Sequence, residues 1–152
     1  MSNTKLKVVE LQTSETYDLR TAVLRADTPT SDPKYAEDTK QGTVHLGIFD
    51  ENKTLIATST WVINPWQHDL SFTAVQLRGM AVATSHQKSG LGKLLLDAGI
   101  VHAKTLDAKY IWAKARDSAL AFYLRNNFVS VGDGFTEGVT QMPHHLVVQK
   151  LS

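Results

Sequence analysis

The sequence predicts a single α/β domain in which helices cover both faces of a mixed sheet. β-rich runs alternate with helix-like runs along the chain, in the order β-α-(α)-β-β-β-α-β-α-β-β, where the second helix is optional. The length of 152 residues suits one hydrophobic core, and no repeat or linker divides residues 1–152. We therefore expect one domain over the whole chain.

The first half of the chain predicts a strand, a helix and a hairpin. Apolar and polar residues alternate over residues 6–11, as in a strand. Polar capping residues begin a helix over residues 14–25. Residues 26–41 contain two prolines and many short polar side chains, which indicates a loop with room for one helical turn. The β-rich runs 43–50 and 55–62 flank turn residues and should pair as a hairpin.

The second half predicts strands and helices in alternation, and a closing pair of strands. The strands are 72–82, 109–113, 128–131 and 146–151, and the helices are 91–106 and 117–126. We expect Asp117 to cap the second of these helices. Residues at helical spacing in the first of them should face the sheet, namely Leu91, Leu94, Leu95, Ala98 and His102. A glycine-rich connection, 132–143, should join the last two strands.

Composition and charge exclude several classes of protein. The net charge is +1 and no block of lysine or arginine forms the basic stripe of a nucleic-acid-binding protein. The absence of cysteine excludes disulfides, thiolate catalysis and Cys-based zinc sites. Residues 1–5 lack the apolar core of a signal peptide, and no apolar run could span a bilayer. We therefore expect a cytoplasmic protein that binds neither nucleic acid nor membrane.

The segment 87–92, Gln-Lys-Ser-Gly-Leu-Gly, lies between a strand-like run and a helix-like run. Backbone N–H groups converge in such a loop, and the helix adds the positive end of its dipole. Gly90 and Gly92 allow turns and a close backbone approach that a Cβ would prevent. The segment predicts a cradle for a phosphate or pyrophosphate, and its alternative is an ordinary strand-to-helix turn.

Two common phosphate-binding motifs do not fit this segment. The P-loop of NTPases needs a glycine where Gln87 stands and a hydroxyl where Leu94 stands. The dinucleotide-binding fingerprint needs a third glycine, and Leu95 occupies that position. Specific residues therefore argue against both an NTP-binding protein and a dinucleotide-binding one.

A third pattern matches. Gln87, Gly90 and Gly92 resemble the acyl-CoA loop Q/R-x-x-G-x-G/A of the GNAT superfamily of N-acetyltransferases. Residues 77–82 resemble the fourth strand of that family. The family's A-x-x-F-Y-x-x-x-G-F segment is matched at Ala119, Phe122, Tyr123 and Phe128, with Asn127 in place of its glycine. Asparagine commonly replaces glycine in a left-handed cap. The run 134–138 followed by Pro143 and His144 resembles the bacterial ElaA-like subgroup.

The resemblance implies a mostly antiparallel sheet whose two central parallel strands splay apart to admit acetyl-CoA. It assigns the main chain of the fourth strand to the pantetheine and thioester, and the loop to the pyrophosphate. The residues so assigned are Met80, Ala81, Val82, Gln87, Lys88, Ser89, Gly90, Leu91, Gly92 and Lys93. The two lysines would add charge near phosphates, although each is also an ordinary solvated surface residue. No metal is implied.

The resemblance also implies direct acetyl transfer, with few catalytic groups. Tyr123 stands where many members carry a tyrosine near the thioester sulfur, and a phenol suits protonation of a departing thiolate. The alternative is a tyrosine that packs its ring. His144 is our candidate for the general base, and His145, Glu137 and Asp133 are further candidates. Each of them could equally belong to a turn or a strand edge.

We therefore expect an N-acetyltransferase that moves the acetyl group of acetyl-CoA to a small-molecule or peptide amine. The alternative is a non-catalytic acyl-CoA-binding or sensing module of the same fold. The acceptor pocket is not predicted. Trp61, Trp66 and Phe72 could form its wall, but aromatic residues more often belong to the core. The remaining histidines lack metal-ligand spacing and should be structural or solvated, namely His45, His68, His86 and His102. Homodimer formation is left open.

Overall fold

A computed structural model describes residues 6–152, and the sequence prediction for residues 1–5 lies outside them. The strands are β1 Val9–Leu11, β2 Val44–Phe49, β3 Leu55–Ile63, β4 Ala74–Val82, β5 Tyr110–Arg116, β6 Val129–Thr136 and β7 Pro143–Lys150. The helices are α1 Tyr17–Leu24, α2 Leu91–Thr105 and α3 Asp117–Arg125. Short 3-10 turns occur at Thr13–Thr16, Ala36–Thr39 and Thr84–His86.

The strands of residues 6–152 form one sheet in the order β1-β2-β3-β4-β5-β7-β6. The central pair, β4 and β5, is parallel, and the other neighbouring pairs are antiparallel. β4 and β5 pair only from Ala74↔Tyr110 to Gln76↔Trp112. Beyond that point β4 continues along β3 and β5 continues along β7, so the sheet opens between them. The predicted mixed sheet with splayed central strands is confirmed.

Helices cover both faces of the sheet, because neighbouring residues of a strand point to opposite faces. Thr60 of β3 accepts a hydrogen bond from Arg20 of α1 at 2.7 Å. The next residue, Trp61, points the other way and meets Gly99 of α2. Phe122 of α3 packs near the first turn of α2, on this second face. Thus α1 lies on one face, and α2 and α3 lie together on the other.

The main core fills the space between the sheet and the pair of helices α2 and α3. Its fully buried members include Trp61, Leu95, Leu96, Ile111 and Val147. At about 25 cal/mol per Å² of apolar area removed from water, burial of such side chains supplies most of the driving force for folding. The core therefore fixes the first turn of α2 against the sheet, beside the opening between β4 and β5.

The structure corrects three predictions about helices. The helix predicted over residues 14–25 is divided into the turn Thr13–Thr16 and α1, and the main-chain N–H of Gln12 donates to Glu15 Oε1 at 2.8 Å. Leu94 does not face the sheet, because its side chain is 42% exposed on the outer side of α2. Asp117 is the first residue of α3 and makes no cap hydrogen bond, since its carboxylate contacts His145 instead.

The glycine-rich segment 132–143 is also not the connection that the sequence predicted. β6 continues to Thr136 and β7 begins at Pro143, so that only residues 137–142 form a turn. A register shift between Val131 and Phe135 accommodates the extra residues in β6. Pairing with β7 thus turns a segment of low strand propensity into a strand. Among residues 6–152, no helix is long and apolar enough to cross a membrane.

Candidate functional site

The opening between β4 and β5 leads into a cleft of about 1350 Å³. β4 lines it over residues 76–82, and α2 lines it with its first turn. β5 contributes residues 114–116, α3 contributes Tyr123, and the turn before β7 contributes residues on its far side. The edge of β4 that faces β5 has no strand partner after Gln76, so main-chain polar groups are available to a ligand there.

The loop before α2 has the geometry of an anion cradle. Lys88 and Gly90 have positive φ angles of 65° and 86°. Ser89, which lies between them, does not have a positive φ angle. Gly90 is the N-cap of α2 and has no side chain that could accept a hydrogen bond from the first N–H groups of the helix. The N–H groups of the first helical residues have no partner within the helix by geometry, and they begin at Leu91. The loop therefore fits a phosphate or pyrophosphate in charge and in shape.

Side chains of the loop have roles that its sequence pattern did not reveal. Gln87 donates from Nε2 to the carbonyl of Val82 at 3.0 Å, which ties the loop to the end of β4. The hydroxyl of Ser89 donates to the carbonyl of His86, and this side chain does not line the cleft. Lys93 lines the cleft and forms an exposed ion pair with Asp97 at 2.9 Å. The loop is thus pre-shaped by its own hydrogen bonds.

A bulge in β4 shapes the wall opposite the loop. The register between β3 and β4 shifts between Thr58 and Thr60, and Gly79 has a φ angle of +59°. A Cβ on Gly79 would stand 3.0 Å from the ring of Tyr35 and 3.1 Å from Nε of Arg20. Glycine is therefore required there both by the φ angle and by space. After the bulge, Met80, Ala81 and Val82 continue along the cleft. Their contact with the cofactor stays a prediction.

Gly92 permits a close contact between α2 and α3. A Cβ on Gly92 would lie 3.2 Å from Cε1 of Phe122 and 3.9 Å from Sδ of Met80. All three residues line the cleft. A side chain at position 92 would therefore press on the ring of Phe122 and narrow the cleft, with Met80 only in ordinary contact.

Tyr123 lines the cleft although it is only 7% exposed. Its ring meets the rings of Phe128 and Phe122 edge to face, with centroids 5.1 and 5.4 Å apart. These contacts fix the ring without using the hydroxyl. Burial raises the pKa of this hydroxyl above its ordinary value, so the group is protonated at neutral pH. It can therefore act as a proton donor.

The four candidates for the general base differ in whether they line the cleft and in which hydrogen bonds they make. His144 is 5% exposed, and its Nδ1–H donates to the carbonyl of Met142 at 2.8 Å, which leaves Nε2 as a proton acceptor. His145 has Nδ1 2.7 Å from Asp117 Oδ1 and does not line the cleft. Asp133 does not line it either. His144 is thus the histidine of this pair that lines the cleft with a free ring nitrogen.

Glu137 also lines the cleft, but its carboxylate is engaged. Its two oxygens accept from the main-chain N–H groups of Val139 and Thr140 at 2.9 and 2.8 Å. Burial alone would raise the pKa of Glu137, but these two donors, the Thr140 side chain and the nearby His144 together outweigh it and hold the pKa below its usual value. A carboxylate stabilised in this way is a weak proton acceptor.

The side of the cleft next to α1 is rich in arginine, and no local sequence pattern predicts this. Tyr35 comes from the loop predicted over residues 26–41. Its ring centre lies 4.3 to 5.5 Å from three guanidinium carbons, those of Arg78, Arg20 and Arg25. Arg20 is fully buried and forms a bidentate pair with Asp38, both contacts being 2.9 Å. Only the long-range path of this loop brings these side chains together.

The aromatic residues considered for an acceptor wall lie elsewhere. Trp61 is fully buried in the main core, and Trp66 packs with Trp112 in a smaller cluster. Phe72 is 45% exposed and lies under Lys109. None of the three predicted wall residues lines the cleft. They do not form a wall of this cleft, and Trp61 and Trp66 are core residues, as the alternative predicted.

The scattered histidines do not gather into a site. His45 is buried between Thr60 and Thr13, and His68 packs against Trp66. His86 is at the cleft rim, beside Ser85. Within residues 6–152, no three His, Cys, Asp or Glu side chains come together as metal ligands.

Solved structures share this arrangement of sheet and helices. An acyl-CoA N-acyltransferase from Pseudomonas aeruginosa superposes with a TM-score of 0.76, at 20% identity over 95% of this chain and 99% of that one. Escherichia coli ElaA gives the same TM-score of 0.76, at 17% identity and the same two coverages, 95% and 99%. These similarities establish the fold.

The chain belongs to the acetyltransferase (GNAT) family, whose model matches residues 9–128. It is similar to the uncharacterized N-acetyltransferase YitI of Bacillus subtilis (strain 168), with 26% identity over 147 residues that cover 95% of each chain. The predicted family is therefore confirmed. Membership indicates acyl-CoA-dependent acyl transfer as the class of chemistry.

Proposed function

We propose that this protein is an N-acetyltransferase that moves the acetyl group of acetyl-CoA directly to an amine. One observation carries the proposal. The uncapped first turn of α2 and the buried hydroxyl-bearing Tyr123 line the same cleft, at the opening between β4 and β5. The first of these features suits the phosphates of a cofactor, and the second suits proton transfer at a reacting group.

The loop and strand β4 hold the cofactor. N–H groups at the start of α2, with Lys88 beside them, bind pyrophosphate oxygens. The unpaired edge of β4 from Met80 to Val82 hydrogen-bonds the arm that leads to the acyl group. When bound, acetyl-CoA supplies the acetyl group as a thioester, so the C–S bond breaks as the amine forms a C–N bond. This architecture holds both reactants at one point, which is the main source of rate in such a reaction.

The proton transfers are assigned to two residues of the cleft. Nε2 of His144, free because Nδ1–H is bound to Met142, takes a proton from the attacking amine, directly or through water. Oη of Tyr123 gives a proton to the departing sulfur. Both groups are restored when the proton passes from His144 back to Tyr123 through solvent. No covalent enzyme intermediate is needed.

Calorimetry with acetyl-CoA tests the cofactor site. Gly90→Glu should weaken binding strongly, because it places a negative charge at the cradle and a Cβ at a φ angle of +86°. Gly90→Ala is the matched control, since position 90 has nothing within 4 Å of a Cβ and alanine adds only the backbone strain. Gly92→Glu should weaken binding further, through Phe122. Equal affinity for wild type and a folded Gly90→Glu variant would overturn this cofactor site.

Thiol release from acetyl-CoA with a mixed amine panel separates an enzyme from the non-catalytic module. Amine-dependent release that is lost in Tyr123→Phe supports catalysis. Tight binding of acetyl-CoA without amine-dependent release for any member of the panel would favour the sensing module. The cytoplasmic location, independence from metal and the state of oligomerisation stay predictions.

A further inference from the structure

Two arginine side chains converge on one main-chain carbonyl beside α1. The carbonyl oxygen of Leu24, the last residue of α1, accepts from Nη2 of Arg116 and from Nη1 of Arg25, the latter at 3.4 Å. Arg25 also donates from Nε to the carbonyl of Asp32 at 2.8 Å and is only 7% exposed. Both arginines line the cleft. Two positive charges are therefore held near the same oxygen atom.

Neither of these guanidinium groups has a carboxylate within 4.0 Å among residues 6–152. The other two arginines around Tyr35 are neutralised, Arg20 by Asp38 at 2.9 Å and Arg78 by Glu37 at 2.7 Å. Buried charges are normally paired, because an unpaired charge is costly to remove from water. This side of the cleft thus has two positive charges without counter-ions.

The acidic side chains nearby do not act as counter-ions to Arg25 and Arg116. Glu137 uses its carboxylate oxygens for two main-chain N–H groups. Asp32 uses Oδ1 to accept from the N–H of Lys34 at 3.0 Å. Burial lowers the pKa of the Arg116 guanidinium and the charge of Arg25 acts in the same direction, while Tyr35 and Glu137 act against it. A bound anion would relieve this unfavourable environment.

We propose that Arg25 and Arg116 bind an oxyanion group, a carboxylate or a phosphate, carried by the amine that the enzyme acetylates. The inference rests on the proposed function and names its class of acceptor, namely amino acids or phosphorylated amines. The planar fork of a guanidinium matches both oxyanions in geometry. A polycationic amine, by contrast, would meet two uncompensated positive charges.

The position of Arg116 suits an acceptor that is both anion and amine. Arg116 lies directly opposite His144 in the β5–β7 ladder, so the two side chains lie on the same face of the sheet. His144 is the candidate base for the attacking amine. The anion site and the proton acceptor are therefore neighbours, as an amine with an oxyanion a few bonds away requires. The cradle before α2 is formed by other elements and serves the cofactor.

Matched pairs of amines test this inference by initial rates of thiol release from acetyl-CoA. Amino acids are compared with their amides, and phosphoethanolamine with ethanolamine. The anionic member of a pair should react better, and the pair that responds tells whether a carboxylate or a phosphate is bound. Arg116→Gln should raise KM for the anionic amine about 10- to 100-fold, as expected for one lost charge-assisted hydrogen bond. Acetyl-CoA affinity should not change.

Two further variants test whether the change in KM comes from the guanidinium group of Arg116 and not from the loss of any positive charge. Arg116→Lys keeps the charge and loses the fork, so its effect should be intermediate. Lys150→Gln removes the same charge from an exposed position outside the cleft and should have no effect on KM. Calorimetry with N-acetylglycine and with inorganic phosphate measures the affinity for each anion without any reaction taking place. Saturable binding of one of them that Arg116→Gln weakens supports the inference.

The failure of this inference differs from the failure of the proposed function. A wild-type enzyme that acetylates neutral amines as well as anionic ones overturns the anion site and leaves the acetyltransferase intact. So does anion binding that Arg116→Gln leaves unchanged, or the absence of saturable anion binding. A wild-type protein that binds no acetyl-CoA overturns the proposed function instead.

Discussion

Gly99 of α2 lies against the indole of Trp61 in β3, so closely that a Cβ on Gly99 would stand 1.8 Å from Cζ2 of the ring. Trp61 is itself fully buried, and its Nε1–H donates to Ser59 Oγ at 2.9 Å, which fixes the ring. The helix therefore packs on the sheet at a glycine. This contact helps to set where the first turn of α2 stands relative to β4, and hence where the anion cradle lies.

Gly99→Ala should destabilise the fold, although glycine-to-alanine changes inside helices usually stabilise by about 0.5–1 kcal/mol. Overpacking a core typically costs about 1–3 kcal/mol, and here the clash is with a fixed ring. Urea denaturation gives the free energy of unfolding. Val101→Ala, at a 64% exposed position on the same helix, is the control and should change it little.

The double variant Gly99→Ala/Trp61→Phe checks the cause of that loss. Phenylalanine removes the ring atoms that a Cβ on Gly99 would strike, so the two changes should be less harmful together than the sum of their separate effects. Additive losses would show that the contact with Trp61 is not what excludes alanine.

Tyr123→Phe should lower kcat by about 10²–10⁴-fold, the usual contribution of a general acid. The ring contacts with Phe122 and Phe128 do not involve the hydroxyl, so packing should be retained. KM for acetyl-CoA should stay nearly constant, because the lost interaction is made in the transition state. A raised KM with kcat intact would make Tyr123 a cofactor-positioning residue. A lower melting temperature with kcat intact would make it a packing residue.

His144→Gln and His145→Gln form a matched pair, since the two residues are neighbours and only His144 lines the cleft. His144→Gln should lower kcat by about 10²-fold or more, because glutamine cannot take a proton from the amine. His145→Gln should mainly reduce thermal stability, since it loses the contact with Asp117. Steady-state rates and melting temperatures separate the two effects. If His144→Gln were as active as wild type, His144 would not be the general base. A chain of water molecules would then have to take the proton from the amine.

The sequence predicted the loop side of the cleft better than the arginine-lined side, for a physical reason. The glycine loop and α2 are contiguous in the chain, so a local pattern predicts both the turn and the free N–H groups. Gln87 illustrates the limit of this approach. Its place in the motif was predicted, but its bond to the carbonyl of Val82 depends on how the loop folds back on β4.

The arginine-lined side depends on contacts between distant segments. Arg20 and Asp38 are separated by a loop, and neither has a local pattern that marks it as buried. Gly132 and Gly134 lowered the strand propensity of β6, yet β7 pairs with that strand and extends it to Thr136. Tertiary partners override local propensity in both cases. The arginine-lined wall could therefore be recognised only in the folded chain.

The stability of the fold should decrease as the pH falls below about 6.5, because His45 is buried without charge. His45 is 4% exposed, and its ring nitrogens contact Thr60 Oγ1 at 2.8 Å and Thr13 Oγ1 at 3.1 Å. Burial lowers its pKa below the ordinary value, and the charge of Arg20 acts in the same direction, whereas Asp38 acts against it. The unfolded chain then takes up a proton at a pH where the folded chain does not.

The sign of the effect follows from this difference. Above the ordinary histidine pKa neither state binds the proton, and the full stability is present. As the pH falls below it, proton uptake by the unfolded state removes up to about 1.4 kcal/mol per pH unit for each such group. The loss stops once the pH is below the lowered pKa of the folded state. Burial lowers the pKa of His102 in the same direction, so that this residue contributes as well.

Urea denaturation at several pH values between 7.5 and 5 measures how the free energy of unfolding changes with pH, which is the slope to be compared. His45→Gln should be less stable than wild type at pH 7.5, because it loses the ring's hydrogen bonds, but its free energy of unfolding should vary less with pH. His102→Gln, whose ring nitrogen Nε2 is buried without a partner among residues 6–152, should flatten the slope with little loss at pH 7.5. If neither substitution reduced the slope, other groups would have to bind the protons, and the assignment of acid sensitivity to these two histidines would be wrong.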